Sequence, residues 1–245
     1  MTKDYFTLEK KAKNGSAVAQ HNLAYEYHKN HENKKALYWW KKAALEKNYG
    51  KAYFNLGIVY YHGWGVPINH SKSLKYLLKS IKIKHTLLKY ACHAVGGMYY
   101  AGEGTKKNMR KAIKFYQMAV KLNNIPSMGM LESIYQNKEN KKYYNSSKAF
   151  KYELIMAKNN IARSQFKIGI RYLIGKGVRK NIKLADIYLV RALFNKKKIF
   201  YDEPGNNLYE RLKLKESERL FIKKLYREKW IYNPSLLEHL NNYLN

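Results

Sequence analysis

The chain repeats one arrangement of small, branched apolar and aromatic positions at steps of 33 to 39 residues. In each copy a small residue is followed four places later by a branched apolar residue, and four places after that by tyrosine. A spacing of four puts the three side chains on one face of an α-helix. The five triplets are Ala19, Leu23 and Tyr27; Ala52, Leu56 and Tyr60; Ala91, Val95 and Tyr99; Ser127, Leu131 and Tyr135; and Ser164, Ile168 and Tyr172. The pattern predicts one helix per copy, which we name helix A.

A second helix is predicted after each helix A, from a marker of its own. A small residue is followed three places later by an aromatic residue, and seven places after the small residue comes another small residue or a methionine. The five sets are Ala36, Trp39 and Ala43; Ser73, Tyr76 and Ser80; Ala112, Phe115 and Ala119; Ala149, Tyr152 and Met156; and Ala185, Tyr188 and Ala192. Small residues beside large ones at these spacings let neighbouring helices approach closely. We name this second helix helix B.

Three of the connections between helix A and helix B share a glycine pattern. It reads YYHGWGVPIN, YYAGEGTKKN and YLIGKGVRKN, starting at Tyr60, Tyr99 and Tyr172. Glycine adopts the left-handed conformation that ends a helix, and asparagine can cap the free N–H groups that begin one. The glycines are Gly63 and Gly65, Gly102 and Gly104, and Gly175 and Gly177; the asparagines are Asn69, Asn108, Asn145 and Asn181. The loops are predicted to be turns, and they do not match the Walker phosphate loop.

These residues resemble the Sel-1-like repeat, a relative of the tetratricopeptide repeat. The second copy, AYFNLGIVYYHGWGV at 52–66, follows that family's pattern almost position for position. The first copy has a shortened loop without either glycine, and the fourth has Glu132 where the family has glycine. The resemblance implies a right-handed α-solenoid that binds proteins. It does not identify the partner.

We therefore predict an all-α fold, a right-handed α-solenoid of about five helix–loop–helix repeats with a C-terminal helical cap. The solenoid is expected over residues 1–195, with repeats near 15–48, 49–86, 87–123, 124–159 and 160–195. The repeat pattern stops after Asn195, and residues 196–245 are expected to form the cap, because terminal repeats need a covered face.

A candidate binding groove lies on the side of helix A that faces away from the triplets. In the second repeat this side is apolar and aromatic, where an ordinary surface helix would be polar. The candidate residues are His21, Tyr25, His28, Phe54, Ile58, Tyr61, His62, Tyr90, His93 and Tyr100. In the family this side lines the concave surface of the superhelix, which implies a protein-binding groove. The alternative is that these side chains pack against neighbouring A helices.

The same side of helix A is entirely apolar in the fifth repeat. Its residues there are Phe166, Ile170, Leu173 and Ile174. An exposed apolar patch of this kind is costly. We expect the C-terminal helices to fold over it, which would leave the groove to the first three repeats.

The charge is strongly positive, with 48 Lys and Arg against 17 Asp and Glu and a formal net charge of +31. Lys, Asn, Tyr and Ile are all abundant, so an A/T-rich coding sequence would explain the excess without any function. Such a field nevertheless attracts acidic partners. Two helices B carry lysine stripes, which are either solvated faces or contacts for phosphate or an acidic protein. These are Lys72, Lys75, Lys79 and Lys82, and Lys111, Lys114 and Lys121.

The sequence offers no convincing catalytic or metal-binding constellation. His28, His31 and Glu32 match no helical metalloprotease order. Cys92 next to His93 cannot form a nucleophile–base pair, because adjacent helical residues diverge, so Cys92 is interpreted as a packing residue. The carboxylates of Glu103 and Asp186 have no evident carboxylate partner. We expect no catalytic activity, no metal and no cofactor.

The predicted function is a non-catalytic scaffold, adaptor or inhibitor that binds an acidic protein through the concave face. The alternative is a non-specific nucleic-acid-binding protein that uses the lysine-rich convex surface. A single cysteine favours a reducing compartment. The N-terminus lacks an apolar signal segment, and no apolar run approaches the roughly 18 residues of a membrane span, so a cytoplasmic location is expected.

Overall fold

The computed structural model describes residues 3–195 and the isolated positions 220 and 224. Eleven α-helices lie within 3–195, and no strand occurs among the described residues. They are α1 (Lys3–Lys13), α2 (Ala17–Lys29), α3 (Asn33–Lys47), α4 (Gly50–His62), α5 (His70–Ile81), α6 (Leu88–Ala101), α7 (Met109–Lys121), α8 (Ile125–Gln136), α9 (Ser146–Lys158), α10 (Ala162–Ile174) and α11 (Ile182–Phe194).

The predicted all-α fold of helix–loop–helix repeats is confirmed. Helices α2, α4, α6, α8 and α10 are the five A helices, and each is followed along the chain by its helix B. The closest packing in the first three repeats and the fifth is between helix A and the helix B that follows it. The branched apolar residues of the triplets, such as Leu23, Leu56 and Val95, are fully buried.

Contacts divide the chain into two compact units at Ser127 and Met128. The first unit contains α1 to α7, and α8 begins at its end. The second contains most of α8 and the helices α9 to α11.

A glycine in helix A sets the distance between the two helices of several repeats. A Cβ on Gly57 would lie 2.5 Å from Leu77 Cγ, and a Cβ on Gly96 would lie 2.7 Å from Tyr116 Cδ1. In the fifth repeat Gly169 stands in the same way against Leu189 Cγ, at 2.7 Å. A large side chain of helix B therefore packs directly on the backbone of helix A, which accounts for the close pairing.

The predicted roles of the loop glycines and asparagines are confirmed. Helices α4, α6 and α10 end at glycines in the left-handed conformation, with φ of 76°, 88° and 73°. The side-chain oxygen of each predicted asparagine accepts a hydrogen bond from the backbone N–H three residues on, at 2.8–3.0 Å. The backbone N–H of each asparagine also donates to the backbone carbonyl of the triplet tyrosine in the same repeat, as Asn108 does to Tyr99 at 2.7 Å.

The second loop glycine has a further role that the sequence did not indicate. Gly104 has φ of +65°, and a Cβ there would lie 2.4 Å from the backbone of His70 at the start of α5. A Cβ on Gly65 would likewise lie 3.0 Å from Asn33 at the start of α3. In the first unit each loop therefore rests on the first turn of the preceding helix B.

The first repeat ends its helix A without glycine. His31 takes the left-handed conformation there, with φ of 62°, and its backbone N–H donates to the carbonyl of His28 at 2.9 Å. The helix α1 was not predicted; it is held to α2 by Gln20, whose side-chain amide donates to the Ala12 carbonyl at 3.2 Å. The predicted cap at 196–245 lies outside the described residues.

The apolar side of the fifth helix A is largely covered within the second unit. Leu173 is buried, and Phe166 and Ile170 are half-buried in a cluster formed with Leu189 and Leu193 of α11. Ile174 remains 60% exposed. Whether the C-terminal helices reach this surface lies outside the described residues and stays a prediction.

Candidate functional site

The candidate groove residues of the first unit come from equivalent positions of α2, α4 and α6, and we name them the A-helix face. His21, Phe54 and His93 stand two places after the small triplet residue, and His28, Tyr61 and Tyr100 stand one place after the triplet tyrosine. The remaining members are Tyr25, Ile58, His62 and Tyr90. One face of each helix A therefore presents the same positions in three successive repeats.

Two histidines of the A-helix face bind the next helix A. The side-chain amide of Asn55 on α4 lies 3.1 Å from His21 Nε2, and the hydroxyl of Ser127 on α8 lies 2.8 Å from His93 Nδ1. Burial lowers the pKa of His21 and lowers the pKa of His93 to about 4. Uncharged imidazoles that join adjacent helices match the packing alternative for these two residues.

A ladder of stacked rings runs along the ends of these helices. Trp64, in the loop after α4, lies between His28 and His62, with ring centroids 4.3 Å and 4.9 Å away. Tyr61 stacks on His70 at 5.0 Å, and its hydroxyl donates to Glu103 Oε2 at 2.9 Å. Trp64 was not among the candidate residues, although an aromatic residue between two loop glycines was a visible signal. The ladder connects neighbouring repeats and fixes His28 and Tyr61.

Five residues of the A-helix face keep accessible apolar surface. Tyr25 is 56% exposed. The four half-buried residues are Phe54, Ile58, Tyr90 and Tyr100. Ammonium groups lie over two of the rings, Lys89 over Tyr90 at 5.1 Å and Lys107 over Tyr100 at 5.7 Å. The accessible part of the face is thus aromatic surface bordered by cations.

The lysine stripes of α5 and α7 are exposed along their whole length. Some of their ammonium groups lie over tyrosine rings of helix A, a contact that was not predicted from the sequence. Lys72 lies over Tyr60 at 5.5 Å, and Lys79 lies over Tyr53 at 5.4 Å. These lysines are therefore more than a solvated face, since they also contribute to packing.

The second unit contains a polar cavity of about 420 Å³. Its lining comes from α8, α9 and α10 and includes Ser133, Gln136, Arg163 and Lys167. Lys167 Nζ lies 2.9 Å from Glu132 Oε1 and 3.7 Å from Glu153 Oε1, and Arg171 Nε donates to Glu153 Oε2 at 2.5 Å. Burial raises the pKa of Glu153, and the two cations oppose that shift. Two buried carboxylates and two half-buried cations thus form one cluster.

This cluster replaces the glycine–apolar contact of the second, third and fifth repeats. Glu132 stands where Gly57 stands in the second repeat, and Glu153 stands where Leu77 stands. Arg171 likewise occupies the position of Val59. The sequence marks Glu132 as a departure from the family pattern, but it does not indicate the other members of the cluster, which come from two other helices. With each carboxylate paired to a cation, we assign the cluster to structure.

The remaining candidates for chemistry lie in structural environments. Cys92 is fully buried in α6, and burial raises the pKa of its thiol to about 11, as expected of a packing residue. The Nδ1 of His28 lies 2.8 Å from Asn33 Oδ1. Within the described residues, no three His, Cys, Asp or Glu side chains are placed to hold a metal ion. None of the helices described there has the length and apolar character to cross a membrane.

Comparison with solved structures gives relatives with the same fold. A protective antigen of uropathogenic Escherichia coli with an SLR fold is 24% identical, with a TM-score of 0.67 over 77% of this chain and 40% of that chain. A Sel1 repeat protein from Oxalobacter formigenes is 24% identical, with a TM-score of 0.62 over 88% of this chain and 89% of that chain. This chain therefore spans less than half of the length of the antigen. No curated protein matches the chain by sequence.

The family model of the Sel1 repeat matches residues 17–48, 50–85, 89–124 and 162–192. The matched segments contain the first three helix pairs and the fifth. The fourth pair, which carries Glu132 and Glu153 in place of the glycine–apolar contact, falls outside the match. Because the matched segments make up more than half of the residues, the chain belongs to the Sel1 repeat family.

Proposed function

We propose that the chain is a non-catalytic protein-binding module that contacts an acidic partner through the A-helix face of the first unit. Proteins built from Sel1 repeats generally act as protein-interaction scaffolds. The observation that supports this face is its accessible aromatic surface, with Tyr25 56% exposed and Phe54 and Tyr100 half-buried. Aromatic side chains give large contact area at modest entropic cost and are enriched among the residues that dominate binding energy.

The acidic character of the partner is inferred from the charges around this face. Residues 51–131 contain thirteen basic residues and one acidic residue, Glu103, whose carboxylate is bound by Tyr61. Lys89 and Lys107 place ammonium groups over two aromatic rings of the face. A partner with carboxylates around an apolar centre would complement this arrangement and associate quickly. A cytoplasmic location is part of the proposal, because a chain with one cysteine does not depend on an oxidising compartment.

The test is a comparison of two variants in capture from an extract of the cells that make the protein. Combined Tyr25→Ala, Phe54→Ala and Tyr100→Ala remove aromatic surface from the A-helix face. The control is Tyr38→Ala on α3, because Tyr38 is as exposed as Tyr25 but lies on a helix B. Helical content is checked by circular dichroism.

We expect a protein captured by the natural chain and by the control to bind the triple variant at least about tenfold more weakly. The affinity would be measured by titrating the purified partner. Equal binding by all three proteins would contradict the proposal. Capture that disappears after nuclease treatment would favour the nucleic-acid alternative instead.

A further inference from the structure

The first unit carries one exposed lysine per repeat in the same position on helix B. Lys35, Lys72 and Lys111 are each the third residue of their helix. Their ammonium groups lie 5.2 Å, 5.5 Å and 5.0 Å from the ring centroids of the triplet tyrosines of α2, α4 and α6. We name these three residues the lysine row.

Asparagine caps on the backbone and tyrosine rings under the ammonium groups restrict the motion of Lys72 and Lys111. The side chain of Asn69 accepts a hydrogen bond from the Lys72 backbone N–H at 2.8 Å, and Asn108 does the same for Lys111 at 2.9 Å. The tyrosine rings beneath them are buried and stack on aromatic residues of helix B at 5.5 Å and 5.7 Å. Side chains that are already ordered lose less conformational entropy when they bind a ligand.

The lysine row stands at an electrostatically unfavourable end of its helices. The N-terminus of an α-helix carries partial positive charge and favours acidic residues. Helices α5 and α7 have no acidic residue at the N-cap or in the first turn, whereas α3 begins directly after Glu32. The cation–π contacts with the tyrosine rings offset part of this unfavourable interaction. The positive charges of the helix ends and of the lysines nevertheless add together. Lys72 and Lys111 therefore add to the positive potential at the start of two successive helices B, which attracts anionic groups.

The row is continuous within the first unit, because each glycine loop rests on the first turn of the preceding helix B. Gly104 stands against His70 of α5, and Ser71 donates to the Gly104 carbonyl at 3.3 Å. The loop that joins this point to α7 brings Lys106 and Lys107, both exposed. One edge of the unit therefore presents a series of cations, among which Lys35 is paired with Glu32.

We propose that the lysine row is a second interaction surface, which binds an acidic polypeptide segment. The regular series of ordered ammonium groups matches a chain that presents carboxylates along its length. Nucleic acid fits less well, because the row contains no arginine and its tyrosine rings are covered by ammonium groups or buried, so they offer bases no face for stacking. The lysine row shares no residue with the A-helix face, although Lys107, which lies over Tyr100, belongs to the loop beside the row. The proposal does not depend on the function proposed for the A-helix face.

The test uses a labelled peptide of about 20 glutamate and aspartate residues and a duplex DNA of about 20 base pairs, at an ionic strength of about 0.15 M, which screens long-range attraction. The row variant is Lys72→Glu with Lys111→Glu, since glutamate suits the first turn of a helix. The control is Lys75→Glu with Lys114→Glu. It makes the same charge change one turn further along the same helices, at exposed lysines.

We expect the row variant to bind the peptide about tenfold more weakly than the natural chain, and the control about threefold or less. Equal losses in the two variants would overturn the proposal, because the attraction would then come from net charge alone. If the row variant lost more affinity for the DNA than for the peptide, the proposal would be overturned in favour of nucleic acid. The triple variant with Tyr25, Phe54 and Tyr100 changed to alanine should keep its affinity for the peptide. The proposals for the two surfaces can therefore fail independently.

Discussion

At the residue scale, the histidines show how a position that the sequence marks as a binding candidate can serve the fold. His93 packs against Tyr116, with ring centroids 5.6 Å apart, and its Nδ1 lies 2.8 Å from Ser127 Oγ. Burial lowers the pKa of His93 from 6.5 to about 4, so the folded chain holds this imidazole neutral. The unfolded chain takes up the proton more readily. The folded state is therefore favoured above pH 6.5, and that advantage is lost as the pH falls toward 4.

We predict that His93→Gln flattens the dependence of the unfolding free energy on pH between 6.5 and 4. Each unit of pKa difference corresponds to about 1.4 kcal/mol, so the natural chain should lose on the order of 3 kcal/mol more than the variant over this range. Urea unfolding at a series of pH values measures the difference. Parallel curves for the two proteins would show that His93 does not titrate differently on folding.

The residues that could be predicted from the sequence are those whose role is local to the backbone. The left-handed glycines and the capping asparagines follow from local backbone needs, so the spacing of a few residues was enough to place them. The partners of His21 and His93 are 34 residues away and belong to another helix. No local pattern distinguishes a histidine that bonds the next helix from one that faces a partner protein. The sequence therefore left groove and packing as alternatives, and the contacts favour packing for these two.

At the element scale, the helix pair α8–α9 differs from the others because charged residues stand between its helices. Glu132 and Glu153 occupy the two positions that in the second, third and fifth repeats pack glycine against a large side chain, and Lys167 and Arg171 of α10 neutralise them. The periodic triplet still predicted this repeat, since Ser127, Leu131 and Tyr135 keep their places. The charged cluster could not be predicted from the sequence, because its members lie on three different helices. In the sequence each of them is only a single departure from the repeat pattern.

We predict that Arg171→Val destabilises the second unit by about 3–5 kcal/mol, because it leaves the buried Glu153 without its closest cation. The penalty should shrink as the pH falls, since burial raises the pKa of Glu153 and a protonated carboxyl group needs no cation. Thermal and urea unfolding at two pH values would measure both effects.

A matched variant separates the loss of a charge partner from the loss of packing. Combined Glu132→Gly, Glu153→Leu, Lys167→Asn and Arg171→Val replace all four charges by the residues that the second repeat has at these positions, Gly57, Leu77, Asn55 and Val59. Apolar replacement of a buried ionic cluster is often neutral or stabilising by about 1–4 kcal/mol. The combined variant should therefore be at least as stable as the natural chain. If it is less stable than Arg171→Val alone, the charges are needed to hold the helices at their observed distance.

At the scale of the whole molecule, the repeat and its helices could be predicted from the sequence, while the arrangement of charge on them could not. The sequence states a net charge of +31 but does not say which lysines are ordered. The contacts between lysines and tyrosines depend on the pairing of helix A with helix B, so the lysine row becomes visible only in the folded chain. The division into two units at Ser127 also has no counterpart in the repeat spacing.

The net charge leads to a last prediction, in which salt acts in opposite directions on folding and on binding. A chain with 48 basic and 17 acidic residues repels itself when compact, and salt screens that repulsion with a Debye length of about 10 Å at 0.1 M. Raising sodium chloride from about 0.02 to about 0.3 M should therefore raise the melting temperature, while the affinity for the acidic peptide falls. Differential scanning fluorimetry and peptide titration in the same buffers measure the two trends. A melting temperature that falls with salt would mean that favourable ion pairs outweigh self-repulsion, and the positive charge would then stabilise the fold itself.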